Sequence, residues 1–181
     1  PAEASSSPSS RVRGSPALRD ETPAVKPSVT AVSVHSPDEY ERTSYYNGIA
    51  ANDDHPEVIY RSDFHSTPFP RPDGTTIPVK STRGVFNTSL NDVWDTISPQ
   101  ICDLIQARKI NWSCIDPARF FTYAHGEDTI GSVGPVVIWI GVIPGSTSAD
   151  TAHEVSAEIL ALLSKHGVED VVVEWREAPG P

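Results

Sequence analysis

The chain has 181 residues, enough for one domain and a tail, and it is rich in proline and poor in apolar side chains. It holds 17 prolines against 11 glycines, and hydrophobic residues make up only 38%, so part of the chain is not expected to fold. The formal net charge of −10 repels phosphate backbones and anionic lipid headgroups. Nucleic acid and membrane surfaces are therefore not expected as partners.

The lack of visible targeting signals and the low number of cysteines point to a reducing compartment. No apolar run approaches the roughly 18 residues of a membrane-spanning helix, and the start of the chain lacks a signal-peptide pattern. Two cysteines, Cys102 and Cys114, are too few for a disulfide scaffold, so they are expected to be structural thiols. A cytoplasmic location is the default expectation.

Composition divides the chain into four segments. Residues 1–36 contain five prolines, nine serines and no aromatic ring, and are expected to be a disordered tail because they cannot bury enough apolar surface. Residues 37–75 combine aromatic side chains with prolines, which favours an extended arm packed on the domain. Residues 76–178 hold the folded domain, and residues 179–181 are expected to be the start of a linker.

Hydrophobic periodicity in the folded domain predicts six elements. Short apolar or alternating runs predict strands, and apolar residues three and four apart predict helices. The elements, in chain order, are a strand at 77–86, a helix at 90–105, strands at 112–123 and 136–143, a helix at 152–163 and a strand at 171–177. The order β-α-β-β-α-β is typical of a ferredoxin-like α+β fold, a two-layer sandwich with both helices on one face of a four-stranded antiparallel sheet.

Capping signals mark the ends of the two predicted helices. Ser89 with Asp92 is expected to cap the first helix, and Thr147 with Asp150 the second. Gly167 is expected to close the second helix. Pro99 lies inside the first helical stripe, so a kink or a restart of the helix is expected there.

The strand at 136–143 is apolar on both faces. Exposing several large apolar side chains would cost about 1.5–3 kcal/mol each relative to burial, so the second face should be covered. We expect the cover to be residues 37–75, a second copy of the chain, or a C-terminal neighbouring domain. The predicted interface on this face consists of Val137, Trp139, Ile143, Phe121 and Tyr123.

Two stretches of the domain form a distinctive block. They are Gly134-Pro-Val-Val-Ile-Trp-Ile-Gly-Val-Ile-Pro-Gly-Ser-Thr-Ser148 and Asp170-Val-Val-Val-Glu-Trp-Arg-Glu177. Together with residues between Phe69 and Ile115, they resemble a family of uncharacterised fungal proteins across about residues 60–178. The resemblance implies a fungal source and a place at the amino-terminal part of a longer protein, followed by a part with a trypsin-like fold. It implies no catalytic residues.

One turn of the domain has the position of an anion site. Gly145, Ser146, Thr147 and Ser148 lie between a strand and a helix start, where backbone N–H groups can bind an anion. The turn lacks the lysine of a P-loop and the serine of a nucleophile elbow. A capped helix start is therefore the favoured interpretation, and anion binding the weaker one.

Two histidine-containing groups are candidates for metal or acid–base chemistry. His125, Glu127 and Asp128 fall within four residues on a predicted loop. No further ligand stands at a metal-site spacing, so a solvated loop is favoured. His153 and Glu154 lack the second histidine of a zinc motif and lie outside the buried helix face. We therefore expect neither a metal nor another cofactor.

These patterns favour a non-catalytic protein-interaction or regulatory module, the N-terminal part of a longer fungal protein. Its partner would be a protein, either a second copy or a C-terminal neighbouring domain, bound on the second sheet face. The alternative hypothesis is a small hydrolase or metal-dependent enzyme that uses the loop at His125, Glu127 and Asp128. RNA binding on the sheet aromatics is disfavoured because the strands that carry them have few basic residues.

Overall fold

A computed structural model of the chain describes residues 31–51, 54–71, 76–124 and 129–180. Up to residue 30, the predicted tail lies outside the described residues, as does the last residue of the predicted linker. From Val32 onward the described residues belong to one compact unit.

The described residues form three helices and six strands. The helices are α1 (Glu39–Ser44), α2 (Ser89–Ala107) and α3 (Ala149–Lys165). The strands are β1 (Val58–Arg61), β2 (Lys80–Arg83), β3 (Trp112–Tyr123), β4 (Gly131–Val133), β5 (Val136–Val142) and β6 (Val171–Glu177). These strands form a mixed sheet in the order β1-β6-β5-β3-β2, and β4 pairs with β3. The predicted α+β class is confirmed.

The strand order differs from the predicted ferredoxin-like arrangement. In that arrangement the first strand of the motif lies between the third and the fourth. Here β5 and β6 pair directly and in parallel through seven residues, so no gap is left between them. The predicted first strand shortens to β2, whose polar sequence Lys-Ser-Thr-Arg suits a sheet edge better than its centre. The other side of β6 pairs with β1, which belongs to the predicted arm.

One face of the sheet packs against α2 and α3. Alternate residues of β5, including Ile138 and Ile140, point to this face and are fully buried. The helices supply the facing apolar side chains, which are Leu90, Ile97, Ile101 and Ile105 from α2 and Ala152, Val155, Ile159 and Leu163 from α3. The apolar stripes predicted for both helices therefore form the main core.

Residues from the predicted arm cover the opposite face of the sheet. Tyr46 lies over Trp139 of β5 with 5.4 Å between ring centroids, and Phe120 of β3 meets the same indole at 5.2 Å. Tyr45 and Phe69 extend this second core. The segment is not simply extended, because it contains α1 and β1.

Both long helices begin one residue away from the predicted caps. Thr88 and Asn91 form the capping box of α2, and Ser148 accepts a hydrogen bond from the backbone N–H of Thr151 at the start of α3. Pro99 lies inside α2, which runs from Ser89 to Ala107 without a restart. Gly167 follows α3 with φ +76°, the left-handed conformation that glycine adopts easily.

A buried hydrogen bond between α3 and β6 provides a test of this packing. The Trp175 indole N–H donates to the Ser156 hydroxyl at 2.8 Å, and both side chains are buried. Ser156→Ala leaves the indole N–H without a partner, so the free energy of unfolding should fall by about 1–3 kcal/mol in urea denaturation.

Ser164→Ala is the matched control on the same helix. Its hydroxyl binds Glu169 at the exposed surface, so the change should stay within about 0.5 kcal/mol. Equal losses in the two variants would contradict the packing of α3 on β6.

Candidate functional site

The chain itself covers the centre of the predicted interface. Val137 is 1% exposed and Trp139 is 9% exposed, both beneath the arm residues of the second core. These two side chains therefore offer no free surface to a partner. Ile143, just beyond β5, remains 38% exposed.

The register of β3 places Phe121 and Tyr123 on the other face of the sheet. Asp116 pairs with Trp139, and Phe121 lies an odd number of residues further along β3, so their side chains point to opposite faces. Phe121 and Tyr123 are half-buried and contact each other edge to face at 5.0 Å. The five predicted interface residues thus do not share one face.

A buried carboxylate lies at the centre of the arm contact. Glu174 occupies the middle of β6 and is 2% exposed. Its two carboxylate oxygens accept hydrogen bonds from the hydroxyls of Tyr45 at 2.6 Å and Tyr46 at 2.8 Å. Burial raises the pKa of Glu174, and the cation of Lys80 and the two tyrosine hydroxyls act in the opposite direction.

Two buried cations complete this cluster. The Lys80 Nζ lies 3.1 Å from the centroid of the Tyr45 ring, and the Arg61 guanidinium lies 4.5 Å from the same centroid. Arg61 also pairs with Glu41 and Asp63, each at 2.7 Å. We call Glu174, Tyr45, Tyr46, Lys80, Arg61, Glu41 and Asp63 the arm cluster.

The arm cluster holds the arm on the sheet. Five of its members belong to the arm, in α1, in β1 and in the turns after them, and the other two lie in β2 and β6. The cluster therefore joins the arm to two strands that are not neighbours in the sheet. Glu174, Arg61, Lys80 and Tyr46 are each less than a tenth exposed, which closes the centre of the cluster to a substrate-sized molecule. These contacts attach the arm to the sheet.

The site residues predicted from the sequence include none of Glu174, Lys80 and Arg61. A signal was present, because Glu174 interrupts an otherwise apolar run between Val171 and Trp175. A charge inside a buried strand requires partners. The sequence does not say which distant residues supply them.

The far end of the sheet has an accessible edge. We call β2, β4 and residues 119–123 of β3 the distal sheet. Here Ser81, Phe121 and Val133 lie side by side across three strands. Val133 is 53% exposed and the neighbouring Ile130 is 58% exposed.

Two backbone N–H groups of the turn at 145–148 donate to acceptors within the chain. The N–H of Gly145 donates to a carboxylate oxygen of Glu177 at 3.0 Å, and the N–H of Ser146 donates to the Ile143 carbonyl at 3.0 Å. Ser148 caps α3, and Thr147 lies half-buried between these groups. A carboxylate of the chain itself thus takes the N–H of Gly145, one of the donors considered for an external anion.

The loop residues His125, Glu127 and Asp128 lie outside the described residues. Within the ranges that are described, no three His, Cys, Asp or Glu side chains are grouped as metal ligands would be. His153 stacks on His35 at 3.8 Å, and Glu154 pairs with Arg108 at 2.9 Å.

The two cysteines are free and half-buried. The Cys114 sulfur accepts a hydrogen bond from Arg176 at 3.2 Å, and the side chain of Arg176 in turn stacks on Trp139. Cys114 therefore lies among packed side chains of the sheet.

In comparisons with known proteins, no family model, no curated protein and no solved structure matches the chain. Among the described residues, no helix is both long and apolar enough to span a membrane. The fungal resemblance stays a prediction.

The arm cluster predicts an unusual titration of Lys80. Burial lowers the pKa of this ammonium from 10.5 to about 8, and the carboxylate of Glu174 acts in the opposite direction. Glu174→Gln should therefore lower the Lys80 midpoint further. The midpoint can be followed by NMR of nitrogen-15-labelled lysine, with Lys80→Arg to assign the signal.

The sign of the stability effect follows from the same shift. Between about pH 8 and 10.5 the unfolded chain binds more protons at Lys80 than the folded chain does. The contribution of Lys80 to stability therefore rises with pH through this window.

Glu177→Gln, outside the cluster, is the control for the titration and should leave the Lys80 midpoint unchanged. A Lys80 midpoint near 10.5, or a rise with Glu174→Gln, would contradict the cluster.

Proposed function

We propose that this chain is a non-catalytic protein-interaction module that binds an extended segment of a partner protein along the open edge of β4. The observation that carries the proposal is the accessible distal sheet, which remains after the arm has covered Val137 and Trp139. The interface predicted from the sequence lay at the centre of the sheet, whereas the proposed interface lies at its far end.

The backbone of β4 presents hydrogen-bonding groups to a partner. Ala124 donates to the Ile130 carbonyl at 2.7 Å, and Gly134 donates to the Phe120 carbonyl at 2.8 Å, on either side of β4. Antiparallel pairing alternates, so the N–H and C=O groups of Gly131 and Val133 point away from β3. In the described part of the chain, β4 pairs with β3 and with no other strand.

The side chains beside this edge are apolar. Ile130 and Val133 are more than half exposed, and Phe121 lies next to Val133 on the same face. An added strand would gain main-chain hydrogen bonds from β4 and would bury alternate side chains on Val133 and Phe121, since Ile130 lies an odd number of positions from Val133 and points to the other face. Its expected chemistry is therefore an extended segment with an apolar residue at every second position.

A partner protein is favoured over a second copy of the chain. The net charge of −10 makes two copies repel each other, which opposes pairing of identical edges. The experiment must therefore distinguish binding of a partner protein from pairing with a second copy.

A peptide selection tests the edge directly. Random peptides displayed on phage are selected on the full chain and counter-selected on Val133→Pro, which removes the outward N–H without breaking the β3 ladder. We expect peptides with alternating apolar residues, whose dissociation constant rises by about tenfold or more with Val133→Pro. Fluorescence anisotropy measures the affinity.

Two further variants separate the edge from general stickiness. Val133→Thr keeps the N–H and should weaken binding by less than Val133→Pro, and Val34→Pro changes another exposed valine and should have no effect. The proposal is wrong if no peptide is enriched or if Val133→Pro binds as the parent chain does. It is also wrong if light scattering shows a dimer that Val133→Pro dissociates, because the edge then binds a second copy.

A further inference from the structure

The distal sheet is basic, although the chain as a whole is acidic. Its three parts, β2, residues 119–123 and β4, contain Lys80, Arg83 and Arg119 and no aspartate or glutamate. The full chain, in contrast, has 24 acidic residues against 14 lysines and arginines. Lys80 belongs to the arm cluster and points to the face opposite Phe121, which leaves the two arginines as the charges of the Phe121 face.

Arg83 and Arg119 lie directly opposite each other across β2 and β3. They pair in the antiparallel register two positions from the pair of Ser81 with Phe121, so both side chains share the face of Phe121. Like charges at directly opposed positions of a sheet are destabilising. A carboxylate bound beside them would compensate this repulsion, so the pair favours an anionic partner.

The contacts of the two guanidinium groups leave them open to a carboxylate. The Arg83 guanidinium carbon lies 5.3 Å from the centroid of the Phe121 ring, and the Arg119 Nε donates to the Gly134 carbonyl at 3.2 Å. Gly134 directly follows β4, so the Arg119 side chain extends from β3 toward the edge strand. Within the described ranges, neither arginine forms a salt bridge.

The net charge of the chain acts at longer range than these two arginines. Exposed charges are screened over about 8 Å at physiological ionic strength, whereas a pair that becomes partly buried at an interface is screened much less. The net charge of −10 therefore affects the approach of a partner, and the local charge of the distal sheet decides which side chains are preferred at contact.

We propose that the partner segment at the β4 edge is acidic and places a glutamate or aspartate side chain against Arg119, with Arg83 adding to the attraction. The carboxylate stands on the same face of the segment as its apolar side chains, two positions from one of them, because Arg119, Phe121 and Val133 share one face of the sheet. A guanidinium can bind a carboxylate through two parallel hydrogen bonds, which orients the segment as well as attracting it. This inference rests on the proposed function, since it names the chemistry of the segment that the edge binds.

Three peptides test the inference on the unaltered chain. They derive from the tightest binder of the phage selection and differ at one residue, which lies two positions from an apolar residue and is glutamate, glutamine or lysine. Fluorescence anisotropy should show that the glutamine peptide binds about fivefold more weakly than the glutamate peptide, and the lysine peptide more weakly still. These differences should shrink as the NaCl concentration rises, because salt screens the ion pair.

Variants of the chain connect this preference to the two arginines. Arg83→Gln and Arg119→Gln should each reduce the preference for the glutamate peptide and together remove it. Arg119→Glu should make the lysine peptide the tighter binder, a reversal that a loss of folding does not produce. Lys165→Gln, the matched control, removes the same charge from an exposed position of α3 and should change the preference by less than about twofold.

The results separate this inference from the proposed function. If no peptide is selected, or if Val133→Pro leaves binding unchanged, both are wrong. If binding depends on Val133 but the three peptides bind equally, the edge binds a partner and only the acidic chemistry of the segment is wrong. The same conclusion follows if Lys165→Gln reduces the preference as much as Arg119→Gln does.

Two other sources of negative charge compete for the arginines. Asp73, Glu127 and Asp128 lie outside the described residues, in segments close in sequence to β2 and β3. If the glutamate preference arises only after these three are changed to their amides, the chain supplies its own carboxylate and the inference is wrong. It is also wrong if single-stranded oligouridylate RNA binds more tightly than the glutamate peptide and loses that affinity when both arginines are changed to glutamine, because the arginines then bind a phosphate backbone.

Discussion

The burial of Glu174 is the constraint on which the packing of the arm against the sheet depends. A carboxylate in the middle of a sheet is costly unless hydrogen-bond donors and cations compensate it, and removing one partner of a buried charge typically costs about 3–5 kcal/mol. The compensation comes from Tyr45 and Tyr46 of the arm and from Lys80 of β2. The arm therefore cannot leave the sheet without exposing apolar rings and stranding this charge.

That attachment decides which surfaces a partner can reach. Once the arm covers Val137 and Trp139, the most apolar part of the sheet is internal. The accessible surfaces then lie at the periphery, where β4 has an open edge. The β4 edge offers backbone hydrogen-bonding groups beside the exposed apolar side chains of Ile130 and Val133.

Local patterns predicted the secondary structure of the domain well. The strands β3 and β6 have the predicted bounds, and β5 differs by one residue, because dense apolar runs leave little choice of conformation. The helix caps were displaced by one residue, since Thr88 and Ser148 compete with neighbouring Ser89 and Thr147 for the same role. The first strand was too long because its apolar residues at 77 and 79 are exposed in the fold rather than paired in a strand.

The sequence by itself determined the two long helices, the strands β3, β5 and β6 and the need to cover both faces of β5, because period and composition act locally. Only the tertiary structure decided what covers the second face and in which order the strands pair. Those outcomes depend on contacts such as Glu174 with Tyr45, which lie 129 positions apart and leave no periodic trace in the chain. The tertiary structure also decides which surfaces stay accessible, because Val133 and Ala161 are exposed only where no other described segment covers them.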